Sequence, residues 1–411
     1  MMNRRRLTLA AALLAAAYST SAMAVQPTQP AERASLEHWR SYTGVTWAPA
    51  NEGGNVAADA SSVNAPIVGI HFDLQGRAFV STPRVLSADA PATLSVLDTR
   101  TTSGPARLTA FPSTQDNAVA GAPDQHLRNV LGFYIDRRNG WLWALDQGFM
   151  AGESEAPEGA QKIMVYALDT GRLVKRIGLD AVADRKGSFL NDIVVDEARK
   201  VAYVSDSGLR SAPANQAGLI VVDFTSGRAR RLLDRHPSLL PEPGAKVMSH
   251  GTEVWPGKPL VLGINGIALS PDARTLYWTV TTGQHAHAIA TQVLRNPKAN
   301  RAEVAAAVHS IGDVGGNTDG IVTSADGRLY ITDVTRNGIV RYDPATKAMA
   351  LVAADDGVSW PDTPTLAPDG ALVVTSSRLN LHFAGAVKAG EERYDLWRLP
   401  LNPPPQQGAP K

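Results

Sequence analysis

Asp319-Gly-Ile-Val-Thr-Ser-Ala-Asp-Gly-Arg-Leu-Tyr-Ile-Thr-Asp333 holds two short runs rich in β-branched and apolar residues around Asp326-Gly327. Asp-Gly tolerates the positive φ that a tight hairpin requires, so the stretch reads as two antiparallel strands. The same unit recurs five more times. Val68–Asp73 leads through Gly76 to Ala78–Thr82, and Leu131–Asp136 through Gly140 to Leu142–Asp146. Asn191–Asp196 leads through Lys200 to Ala202–Asp206, and Asn265–Ser270 through Arg274 to Leu276–Val280. Asp362–Ala367 leads through Gly370 to Leu372–Ser376.

The units begin 43 to 74 residues apart, which leaves room for two further strands in each. Ile163–Leu168, Leu219–Phe224, Gly338–Tyr342 and Asp395–Leu399 are the candidates. Four-stranded units repeated around an axis make a propeller, so six units predict an all-β, six-bladed β-propeller over residues 61–401. A pair of β-sandwiches accounts for the strands but not for six similar hairpins. Tyr394–Leu401, joined by a strand within residues 36–47, is expected to complete the sixth blade. Residues 402–411 read as a disordered tail by composition, and residues 25–60 as a partly flexible lead-in.

Arg4-Arg5-Arg6, an apolar stretch from Leu7 to Ala17 and Ala22-Met23-Ala24 form the three parts of a secretory signal peptide, residues 1–24. The apolar stretch is shorter than the roughly 20 residues of a spanning helix. Cleavage would remove three arginines and no acid, taking the formal charge from +1 to −2. The expectation is an exported, periplasmic or extracellular protein with no nucleic-acid partner and no membrane attachment after cleavage. The absence of cysteine excludes thiol catalysis, thiolate zinc sites and a lipoprotein anchor. No G-x-S-x-G, H-E-x-x-H or phosphate-cradling glycine loop is present. Nothing demands an oligomer, and a monomer is expected.

The ordered segments carry a family resemblance. Phe79-Val-Ser-Thr-Pro-Arg84 with Pro91–Leu94, Gly132–Asp136 with Trp141–Gly148, and Lys162–Tyr166 with Leu173–Arg176 resemble successive parts of the yellow/major royal jelly proteins. Asn191–Asp196, Gly266–Pro271 with Leu276–Trp278, and Ser376–Asn380 continue the match. The branch resembled is bacterial-type, cysteine-free, with Arg137-Arg138 where insect members often carry a cysteine. The resemblance implies a six-bladed, usually secreted propeller; some members resemble dopachrome-converting enzymes and others bind small amines. Asn265-Gly266 and Asp319-Gly320 are also similar to the regucalcin/gluconolactonase propellers, which hold a divalent metal with carboxylate and amide side chains. Val68 stands where gluconolactonases carry a first-blade glutamate.

The first hairpin positions, Val68, Leu131, Asn191, Asn265, Asp319 and Asp362, share one rim if all hairpins run alike. The ends of the second strands add Asp146, Asp206 and Asp333. The expectation is a polar mouth to a central channel that binds a small molecule. Asn191, Asn265 and Asp319 are the candidate ligands of Ca²⁺ or another hard cation, and Asp319 and Asp362 the candidate proton-transfer groups. Trp360 is a candidate ring-stacking residue. Turn and capping roles explain many Asn and Asp residues before strands equally well. Three functions follow: binding or isomerising a small aromatic or amine-bearing compound, metal-dependent lactone hydrolysis, or non-catalytic binding of protein or glycan partners. His285 and His287 share a strand face but lack a third ligand, and His250 sits in a long connection between units.

Overall fold

The six hairpins are the two innermost strands of six blades. The computed structural model describes residues 35–48 and 62–401. Residues 1–24 and 402–411, read as leader and tail, lie outside the described residues. Among the described residues there are six sheets of four or five strands and one small two-stranded hairpin. The inner strands are, in order, Ile70–Phe72, Val130–Asp136, Leu190–Asp196, Ile264–Leu269, Thr318–Thr323 and Pro361–Leu366. Each pairs antiparallel with the next strand of its own blade. The predicted third strands appear as Lys162–Ala167, Gly218–Asp223, Gly338–Asp343 and Tyr394–Leu399.

Glu37–Tyr42 pairs antiparallel with Tyr394–Leu399 and is the outer strand of the sixth blade. Val45–Trp47 then runs parallel to Ala106–Ala110 as a fifth strand of the first blade. The propeller therefore begins at Glu37, ahead of the expected boundary at residue 61. One passage of chain fastens the last blade to the first, so the ring has no free seam.

Hydrophobic cores lie between adjacent blades. Trp143, Leu145 and Val165 of the second blade meet Ile193, Val204 and Ile220 of the third. Tyr203 and Leu219 meet Ile267 and Trp278 across the next gap, and Val373, Tyr394 and Leu396 meet Ile70, Ala78 and Leu97 where the ring closes. A sheet covered on both faces needs apolar residues on both, which is why Gly218–Asp223 (GLIVVD) lacks an outward polar alternation.

Near the axis the inner strands approach backbone to backbone. In the second to sixth blades the register slips at the strand start, so Asn191-Asp192, Asn265-Gly266, Asp319-Gly320 and their equivalents bulge toward the axis. A hydroxyl ties three of the gaps. Ser81 Oγ accepts Gly69 N–H (2.9 Å) and donates to the Leu131 carbonyl (2.8 Å). Ser205 links Asp192 to Asn265 and Thr375 links Thr363 to Val68 in the same way. Glycine fills the second bulge position in three of these blades because the neighbouring carbonyl occupies the space of a side chain, and Gly69 stands at the equivalent place in the first blade against Ser81 Oγ and the Leu131 carbonyl. A Cβ on Gly266 would stand 2.5 Å from the Asp319 oxygen, and one on Gly320 would stand 2.6 Å from Pro364 Cδ. Gly266→Ala is therefore expected to lower stability by about 1–3 kcal/mol, read in a urea melt. Gly178→Ala, with open space around the new methyl, is expected to leave the midpoint within about 1 kcal/mol of the parent or slightly above it.

Candidate functional site

The inner strands enclose a central channel of about 510 Å³. At one end its lining includes Arg137, Arg138, Arg199 and Asp272 of the hairpin turns, all exposed. At the other end stand the six first hairpin positions. Asn191, Asn265, Asp319 and Asp362 do share one rim, but they are only 7, 4, 7 and 6 % exposed. The rim is the closed floor of the channel rather than its mouth. Phe149, Phe189, Leu209 and Leu379, from four separate connections between strands, pack over Val68 and Leu131. The connection between the third and fourth blades packs Val247, Val254, Leu260 and Leu262 over Trp360.

The floor has an apolar half, Val68 and Leu131, and a polar half. Asn265 Nδ2 donates to Thr281 Oγ1 (2.7 Å) and to Asp319 Oδ1 (2.6 Å). The Trp360 indole N–H donates to Asp319 Oδ2 (2.6 Å). Ser377 Oγ donates to Asp362 Oδ2 (3.1 Å). The Asn191 amide has no hydrogen-bond partner among the described residues, although it is buried and lines the channel. Trp360 does not line the channel; it is 3 % exposed and holds a carboxylate from behind. Its φ of 54° is a left-handed conformation costly for a bulky residue, roughly 1–3 kcal/mol. The loop packing and the indole hydrogen bond hold it there.

Asp192 completes the floor and was not among the sequence candidates. It occupies the bulge position that is glycine in four other blades, and its carboxylate accepts Ile193 N–H (2.8 Å) and, across the gap, Ile267 N–H (3.1 Å). The surface it retains faces the channel, not bulk solvent. Glycine stands at this position in four blades and Thr363 in the sixth, so Asp192 is the one acid there, and that is the sequence signal that marks it.

Burial pushes the Asp192 carboxyl up to about 7. Asp319 also rises to about 7, through burial, with the Trp360 and Asn265 hydrogen bonds pulling the other way and the Asp192 charge adding to the rise. Asp362 is raised well above the usual range by burial and then by the Asp319 charge. None of the three forms an ion pair with Lys, Arg or His among the described residues. Partway along the channel, burial and then Arg137 push His71 down to about 3, and the neutral ring shares a hydrogen bond with Thr365 Oγ1 (3.2 Å).

Asp146, Asp206 and Asp333 stand elsewhere and have other work. Asp146 accepts the N–H groups of Arg128, Asn129 and Gly148 and pairs with fully buried Lys162 (2.6 Å). Asp206 accepts Phe189 and Gly208 N–H and pairs with Arg231 (2.7 Å). Asp333 accepts Arg336 N–H and pairs with its guanidinium. They fasten loops to strand ends, and none lines the channel. Gly148 and Gly208, at φ 80° and 62°, make the turns that bring their N–H groups back to these carboxylates. Outside the channel too, His285 pairs with Glu242 (2.9 Å) and His287 stacks on Trp278. His250 bonds the Asp356 carbonyl.

The family model described as major royal jelly protein matches residues 129–406, more than half of the chain. The chain belongs to the major royal jelly protein family. A search of curated proteins finds no match. Among solved structures, a luciferin-regenerating enzyme is similar at 10 % identity and TM-score 0.49, over 82 % of this chain and 91 % of that one. A streptogramin B lyase is similar at 13 % identity and TM-score 0.45, over 82 % and 94 %. A gluconolactonase from Xanthomonas campestris is similar at 15 % identity and TM-score 0.47, over 92 % and 99 %.

In this royal jelly family member the floor carboxyls make stability depend on pH. An unfolded Asp titrates near ~3.9. Between that pH and about 7 the folded state keeps protons on Asp192 and Asp319 that the unfolded state has lost. Stability therefore falls as pH rises through this window, with Asp362 extending the fall upward. Asp362→Asn keeps the side chain's shape and its hydroxyl partners. It is expected to melt a few degrees above the parent at alkaline pH and no higher below about pH 4, measured by calorimetry of ligand-free protein.

Proposed function

We propose that this propeller binds a small, ring-bearing amine at the channel floor, and that the floor carboxyls move a proton on it. The observation that carries this reading is the set of three channel carboxyls, Asp192, Asp319 and Asp362, without a protein cation among the described residues, beside the unpartnered Asn191 amide. Burying carboxylates unpaired is costly, and a ligand ammonium group offsets that cost. Val68 and Leu131 supply the apolar wall that a ring requires, and the cavity has the size of a small-molecule site. Membership of the royal jelly family and the pattern of residues 1–24 support placing this binding outside the cytoplasm.

A carboxyl poised near neutrality both takes and gives protons. An isomerisation is then an internal transfer. One ionised floor carboxylate takes a proton from a ligand carbon, and protonated Asp362 returns one at a second atom. The ligand's formula is unchanged, and no oxidant or reductant takes part.

Calcium-dependent lactone hydrolysis is a second reading, favoured by one observation. Asn265 uses its N–H groups on Thr281 and Asp319, which leaves Oδ1 for a hard cation together with Asn191 and Asp319. The fit is partial, because both Asp319 oxygens already accept hydrogen bonds and Val68 contributes no oxygen. The two readings separate by titration calorimetry near neutral pH. Phenethylamine and tyramine are expected to bind while the matching alcohols do not, and Asp319→Asn or Asn191→Ala is expected to weaken the amines about tenfold. Equal binding of alcohol and amine sinks the first reading. A melting temperature and lactone hydrolysis both unmoved by EDTA sink the second.

A further inference from the structure

The two ends of the channel offer different groups, and at the open end, among charges of both signs, Arg137 is the one whose side chain is held across the inner strands. Arg137 sits in the inner hairpin turn of the second blade. Its own N–H and that of Arg138 donate to Glu197 (3.3 and 2.9 Å), which also accepts the Tyr134 hydroxyl (3.0 Å). With the turn so anchored, the Arg137 side chain extends across the first blade. Its Nη2 donates to the Phe72 carbonyl (3.2 Å) and the Leu366 carbonyl (3.0 Å), at the ends of the inner strands of the first and sixth blades. No carboxylate forms an ion pair with Arg137 or Arg138 among the described residues. Arg199, also at the mouth, is neutralised by Asp196 (3.0 Å). The Arg137 guanidinium is thus fixed in place by two carbonyls that contribute no charge, and its remaining N–H groups are available.

Along the first blade, Phe72 lies three residues from Gly69, which is level with the floor. At the rise of an extended strand this is about 10 Å. One end of the channel offers carboxyls and an amide, the other a guanidinium without an ion-pair partner beside the Glu197 and Asp272 carboxylates, and His71 between them is neutral. Resting on the reading of the floor as an amine site, we infer that the channel selects an elongated zwitterion, an amine at its inner end and a carboxylate at its outer end, and that Arg137 reads the carboxylate. Guanidinium is suited to this task because its planar fork matches a carboxylate and stays charged. An α-amino acid, with both charges on one carbon, does not span the two ends.

The test is calorimetry with phenethylamine, para-(aminoethyl)benzoate, tyramine and tyrosine. The benzoate is expected to bind about tenfold tighter than phenethylamine, and tyrosine no tighter than tyramine. Arg137→Gln is expected to erase the benzoate's advantage and leave the Kd of phenethylamine within about twofold of the parent value. The inference is overturned if the benzoate and phenethylamine bind alike, or if Arg137→Gln keeps the advantage. Failure of the floor reading looks different, because then phenethylamine itself does not bind or binds independently of Asp319.

Discussion

Six inner strands converge on one axis, and the separation of their backbones there governs the rest of the structure. At the second bulge position the neighbour's carbonyl stands where a side chain would project. Gly69, Gly132, Gly266 and Gly320 follow from that contact, and Ser81, Ser205 and Thr375 bind the gaps with one hydroxyl each. The blades' packing and the channel's bore are therefore set together. A wider bore would separate the hydroxyl bridges, and a narrower one would drive carbonyls into the glycine backbones. Thr363 and Asp192 are the two exceptions, and Asp192 is the informative one. Its carboxylate occupies the gap toward the fourth blade and accepts Ile267 N–H, so it does part of what the close approach does elsewhere while adding a charge to the channel.

Two populations of buried aspartate result, and their partners distinguish them. Asp146, Asp206 and Asp333 each have a cation and converging backbone N–H groups. They satisfy donors at loop ends and keep the blade tops in place. Asp192, Asp319 and Asp362 have neutral donors only, and burial raises all three. Breaking one of the first set leaves an uncompensated buried charge, so those residues are structural. The second set has no cation to offset burial, and the raised pKa of each carboxyl expresses that cost.

The fold was legible because a hairpin with a turn at a fixed offset is a local signal, and six repeats of Asp319–Asp333 in different guises made it redundant. Ring closure was less so, since Glu37–Tyr42 has no counterpart in the repeat and its partner lies at Tyr394–Leu399, at the other end of the chain. The repeat also identified Asn191, Asn265, Asp319 and Asp362 as neighbours. It could not show that their rim is closed, because Phe149, Phe189, Leu209 and Leu379 come from four connections between strands with no common pattern. Nor did it separate Asp146 from Asp319. Both are single acids beside strands, and what divides them is a lysine 16 residues away in one case and a tryptophan 41 residues away in the other. Asp192 was less legible, because it stands at the second hairpin position beside Asn191 and only the folded ring brings its carboxylate to the Ile267 N–H of the next blade.

Closure of the floor also assigns a direction to the site. The channel lining runs from the floor past His71 to Arg137 at the hairpin-turn face, while loops pack over the floor. The loops over the floor pack around Trp360 and hold the left-handed backbone that aims its indole N–H at Asp319, offsetting its cost. That hydrogen bond favours the ionised carboxylate, while burial opposes it. The balance leaves Asp319 near neutrality, where a small change in its surroundings, such as the arrival of a cation, decides its charge. The packing of the cap and the protonation of the floor are thus joined through a single indole, which does not itself line the channel.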